Sequence, residues 1–195
     1  MKINDKNKKI TNGIEDDWFE FENLVQTTQH SFNEYIINLD GDINKAEYYR
    51  EAFDTMRYSK ERDRVKIIMN SYGGYVYTFV EFYHYITNCK SKVVCELHTA
   101  YSAGSLIALC CDEIELSAHA SMMIHNVSYG AYGKANEIKS QSDFEIKHAK
   151  EVMKEIYKDF LSPDEIKEVL RGEDLWLTRK EIEKRLLTWI PIRER

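Results

Sequence analysis

Apolar and polar positions along this chain follow two alternating rhythms. Tyr35-Ile36-Ile37-Asn38-Leu39 is a short β-branched and aromatic run closed by Asp40-Gly41-Asp42. Val65-Lys66-Ile67-Ile68-Met69 is a second, closed by Asn70-Ser71-Tyr72-Gly73-Gly74, and both predict strands. Between them, within residues 45–59, Ala46, Tyr49, Phe53 and Met56 recur at helical spacing. A further helix is predicted at 76–88 from Val76, Phe79, Val80, Tyr83 and Ile86, and a strand at 92–97. The small residues after Ser102 lead into an apolar segment ending at Cys111, the pattern of a buried central helix. Short strands are predicted at 113–116 and 121–125, then a glycine-bearing turn at 129–133.

The second half is more charged. Ile138, Ile146, Ala149, Val152, Met153, Ile156, Tyr157 and Phe160 form one stripe of a long helix over 134–161, stopped by Ser162-Pro163. Ser162 as N-cap and Pro163 in the first turn start a helix over 164–171, a loop follows at 172–177, and Thr178 with Glu181 matches a capping box for a last helix. Strands alternating with crossover helices predict an α/β fold with largely parallel strands. Residues 1–33 read as an N-terminal arm and 34–195 as a single domain.

Composition adds exclusions. With 43% hydrophobic and 31% charged residues among 195, the chain can bury roughly 70% of its unfolded surface without covalent staples. Cys89, Cys95, Cys110 and Cys111 form no CxxC pair, which fits neither a disulfide framework nor a zinc site, so no metal or cofactor is expected and a reducing compartment is. The opening MKINDKNKKITNG is followed by the acidic EDDWFEFEN instead of an apolar core, so the expectation is a cytoplasmic protein without a secretory signal. No apolar run approaches the ~20 residues of a membrane span. A formal net charge of -6 gives no electrostatic reason to expect nucleic acid.

Four places could carry chemistry. Gly73-Gly74, at a strand-to-helix junction, lets a backbone N–H approach a ligand, or is only a tight turn. Ser102, among the small residues Ala100, Ala103 and Gly104, is either a nucleophile at a helix start or an N-cap. His125 ends an apolar strand, where a histidine is commonly structural. Asp174, in a loop opened by Gly172, is an acid able to orient a histidine or to close an Asx-turn. Together, a Ser, a His and an Asp at strand or loop ends of an α/β domain are the set needed to activate a serine.

NSYGG at 70–74, TAYSAGS at 99–105, MIHN at 123–126 and GEDLWLTRKE at 172–181, in this order, resemble the Clp protease proteolytic subunit over about residues 34–187. The resemblance implies a ClpP/crotonase-like fold of repeated βαβ units with a protruding long handle helix, the segment 134–161. It implies a serine endopeptidase with Ser102 as nucleophile, His125 as general base and acid, and Asp174 orienting His125. The backbone N–H groups of Gly74 and Ala103 would form the oxyanion hole, with glycine at 74 because a side chain there would block the carbonyl oxygen. Gly73, Tyr72, Tyr129, Gly130 and Tyr132 would border the substrate strand. Expected partners are copies of the chain in stacked rings, an AAA+ ATPase unfoldase, and polypeptide substrates, without nucleic acid or membrane.

The chain departs from the family pattern at several positions. Tyr72 replaces a proline, His98-Thr99 a Gly-Gln pair, Ala103 a methionine, and Leu186-Leu187 a Gly-Leu. Lys66 and Ile68 stand where the family often has tyrosines lining the ATPase docking pocket. Other readings are a catalytically silent scaffold subunit, a processing protease of narrow specificity such as a virus maturation enzyme, and a crotonase-type coenzyme A thioester enzyme.

Overall fold

The computed structural model describes residues 31–128 and 130–195. One five-stranded sheet holds the domain, in the spatial order β1 (Glu34–Ile43), β2 (Arg64–Gly74), β3 (Lys92–Tyr101), β4 (Glu113–Ile124) and β5 (Leu175–Thr178). The first four strands are parallel and β5 runs antiparallel to β4. Parallel neighbours need crossovers, supplied by α1 (Arg50–Tyr58), α2 (Val76–Thr87) and α3 (Ala103–Ala108). After β4 come α4 (Ala135–Ile156) and α5 (Pro163–Arg171), and α6 (Arg179–Leu186) follows β5. The α/β architecture expected from the alternating rhythms is the one observed. None of the described helices is long and apolar enough to cross a membrane.

Period-two burial sets the faces of the sheet. Val65, Ile67 and Met69 of β2 and Val93, Cys95 and Leu97 of β3 are buried against Phe53, Met56, Phe79, Phe82 and Ile86 from α1 and α2. Phe53 and Phe82 meet edge-on, with ring centroids 4.9 Å apart. The opposite face carries charge. Lys66 Nζ reaches Glu96 at 3.0 Å and Glu115 at 2.9 Å, and Arg64 reaches Glu115 at 2.6 Å. Glu115, then Glu96, raise the Lys66 pKa. Of the two positions where the family often has tyrosines, Lys66 thus lies in a network of ion pairs.

Three elements differ from the sequence expectation. β4 is continuous, yet it pairs with β3 only through 113–116 and 121–123; the ladder jumps from Leu97↔Leu116 to Thr99↔Ser121, leaving 117–120 as an irregularity. The two short strands expected there are the two paired stretches. The long helix ends at Ile156 instead of 161, because Asp159 adopts a left-handed conformation (φ 64°) and turns the chain. Segment 172–177, expected as a loop, contributes most of β5. The four cysteines are buried free thiols, and burial pushes Cys110 far up.

The caps of α5 and α6 form as the residue pattern predicts. Ser162 Oγ accepts from Glu165 N at 3.2 Å, and Glu165 answers on Ser162 N at 2.8 Å. Thr178 and Glu181 make the equivalent box. A two-point pair from Arg185 to Glu165, at 3.0 and 2.6 Å, ties α6 to α5. Arg185 chiefly holds the Glu165 carboxyl down at about 2 from 4.5, with desolvation opposing and Ser162 adding. A lowered folded-state pKa gives stability that is present above 4.5 and lost as pH falls toward 2. We expect the denaturant midpoint to drop across that window in the native protein, and Arg185→Met to flatten this segment of the profile.

Candidate active site

Ser102 sits between the end of β3 and the start of α3, with φ 53° and ψ -123°. This backbone conformation is strained for a non-glycine residue, and strain of this kind is retained where surrounding structure enforces it. Here the enforcement is visible: Ser102 N donates to Met123 O at 2.8 Å, and Ser102 O accepts from Ser105 N at 3.0 Å and Ser105 Oγ at 2.7 Å. Ser105 is itself buried and exchanges a hydrogen bond with Tyr157 at 2.8 Å. Ser102 makes no side-chain cap on α3. Its hydroxyl lies 2.7 Å from Nε2 of His125, the first residue beyond β4. For Nε2 to accept that proton, the ring proton must reside on Nδ1.

Asp174 is placed by register. The β4–β5 ladder pairs Met122↔Leu177, Met123↔Trp176 and Ile124↔Leu175, so one further step sets His125 opposite Asp174. The carboxylate does not use that proximity: Asp174 is exposed, borders a recess with Glu168, Arg171 and Glu173, and among the described residues makes no hydrogen bond to His125. The structure therefore brings Ser102 and His125 into contact, and leaves Asp174, like His125, one residue beyond the last pair of the β4–β5 ladder. Asn126 fixes the segment after His125, donating from Nδ2 to Leu170 O at 3.1 Å and accepting from Val127 N at 2.8 Å. Sequence reasoning missed this clamp, for which MIHN gives only the residue type.

The paired glycines have separate reasons. A Cβ on Gly73 (φ 98°) would lie 2.6 Å from Ser102 Cβ, 2.8 Å from Tyr101 O and 3.2 Å from Ala103 N. A Cβ on Gly74 (φ 151°) would lie 2.1 Å from Ile43 O. The expectation that a side chain at 74 would fill the carbonyl-oxygen site is thus corrected: the backbone of β1 excludes it, and Gly73 is the residue that keeps the space before Ser102 and the Ala103 N–H open. Gly73 N donates to Ser71 Oγ at 3.1 Å and is occupied. Ala103, first in α3, has an N–H without an intrahelical acceptor. Gly73→Ala is expected to lower turnover about a hundredfold by displacing Ser102, read as kcat on a peptide substrate beside an unchanged far-ultraviolet spectrum.

Of the remaining candidates, Tyr72 is exposed and tilts against Tyr101, with ring centroids 5.9 Å apart. Gly130 lines a cleft together with Gly74. Tyr132 is fully exposed, and Tyr129 lies outside the described residues.

A family model described as Clp protease matches residues 20–184. The chain belongs to the Clp protease family. The match begins within the segment read as an arm, before the point at which the motifs alone made the likeness visible. No curated protein matched the chain. Membership makes this a ClpP-like protein, and the α/β sheet with its long helix α4 agrees with that fold.

Proposed function

We propose that this chain is the subunit of a serine endopeptidase that cuts unfolded proteins or peptides inside an oligomeric ring. The observation that carries the reading is the 2.7 Å contact of Ser102 Oγ with His125 Nε2 at a strained turn. In the proposed reaction His125 removes the Ser102 proton as Oγ attacks the peptide carbonyl, then returns it to the leaving amine. The N–H groups of Gly74 and Ala103 hold the developing oxyanion, each worth about 3 kcal/mol of barrier. Asp174 turns from solvent toward Nδ1 and keeps His125 in the required tautomer. No metal or cofactor enters these steps.

Self-association is part of the reading. Phe144 and Ile146 of α4 are 59% and 56% exposed, although they lie on an otherwise charged helix, and a chamber built from copies of the chain would cover them. Such a chamber also keeps folded proteins of the cytoplasm away from Ser102. An AAA+ unfoldase is the feeding partner the family implies, and its docking would have to suit the charged face around Lys66. The test is incubation with an unfolded protein, with products read by mass spectrometry and assembly by sedimentation. Internal cuts by a species larger than a monomer are expected; a monomer, or products trimmed only from the ends, would contradict the proposal.

One observation favours a second reading. The solvent-facing carboxylate of Asp174 suits a catalytically silent scaffold subunit, which would bind copies of the chain but hydrolyse nothing.

A further inference from the structure

A cleft of about 560 Å3 opens beside Gly74. Val76 and Val127, both part-exposed, give it apolar surface, and among the described residues that line it the carboxylates Asp42 and Glu145 are accompanied by no lysine or arginine. Glu145 comes from α4 and is half-buried. Tyr77 Oη donates to its Oε1 at 2.8 Å, and this hydrogen bond raises the Tyr77 pKa. The tyrosine therefore stays a donor, fixes the carboxylate across the cleft, and leaves Oε2 to accept from an incoming group.

The position of the cleft says which part of a substrate reaches it. Gly74 supplies a cleft wall and also the proposed oxyanion donor. Because the cleft shares Gly74 with that donor, a peptide whose carbonyl oxygen accepted from the Gly74 N–H would bring the side chain of that same residue within reach of the cleft. We infer that this cleft selects a lysine or arginine on the acyl side of the cut bond. The alkyl stem lies on Val76 and Val127, and the cationic end meets Glu145, with Asp42 adding negative potential at the rim. An acidic side chain in the same place meets two like charges, which gives the selection its repulsive half.

The inference rests on the peptidase reading, and the experiment separates the two. Peptides identical except for arginine, leucine or glutamate before the cut bond are compared by kcat/KM in the native protein and in Glu145→Gln, which retains an acceptor for Tyr77. Arginine is expected to exceed leucine about fivefold, the upper range for a half-exposed ion pair, with glutamate slowest. The arginine-to-leucine ratio should fall toward one in Glu145→Gln and with added salt. Leucine favoured by the native protein, or a ratio unchanged by Glu145→Gln, overturns the inference while the peptidase reading stands. Cleavage of none of the peptides, in an assembled protein, overturns both.

Discussion

Ser102→Ala is expected to lower kcat/KM for peptide hydrolysis by a factor of at least about 10^4, with the melting temperature close to that of the native protein. The two halves follow from the same geometry. The Ser102 side chain caps no helix, and the bonds that enforce its turn run through its backbone N–H and carbonyl. Alanine keeps these backbone partners, and it meets the same φ of 53° as serine does. What disappears is the oxygen 2.7 Å from His125 Nε2. A residual rate near the native one would mean that hydrolysis is carried elsewhere; a large fall in melting temperature would mean that the hydroxyl is structural.

Asp174→Asn is expected to cost between roughly 10^2 and 10^4 in kcat, with smaller change in KM. An asparagine fills the same space but presents an amide where His125 Nδ1–H requires an acceptor, so the imidazole loses the tautomer that leaves Nε2 free. Asp174 is exposed and both it and His125 lie directly beyond the last ladder pair, Ile124↔Leu175, so reaching Nδ1 is expected to call for a side-chain rotation and not a change of fold. Little stability should be lost. A native rate in Asp174→Asn would assign the carboxylate to the surface, and would leave Ser102 and His125 as a pair without a third member.

The parts of this site readable from sequence were those with local signatures. Helical spacing announces α1 and α2, the capping boxes announce α5 and α6, and Tyr72-Gly73-Gly74 announces a turn at a strand end. What sequence left open at Ser102 was the choice between cap and nucleophile, because both place a serine before a helix. The structure removes the first reading, since Ser102 stands at φ 53° and its side chain makes no cap. β5 was hidden for another reason: its four residues, the last of which already belongs to the capping box, are too few to show a period, and their pairing with Ser121–Ile124 is long-range. Gly73 and Gly74 look interchangeable in the chain, yet one makes room for Ser102 and the other for Ile43, a difference that only the place of β2 between β1 and β3 reveals.

The central claim is that His125 activates Ser102. A fluorophosphonate probe tests it most directly, applied to the assembled native protein, Ser102→Ala and His125→Ala, with the modified residue read by mass spectrometry. The account predicts labelling at Ser102 in the native protein, none there in Ser102→Ala, and a strong loss in His125→Ala although Ser102 is still present. Native protein that assembles but leaves Ser102 unlabelled, or labelling in His125→Ala at the native rate, would contradict it.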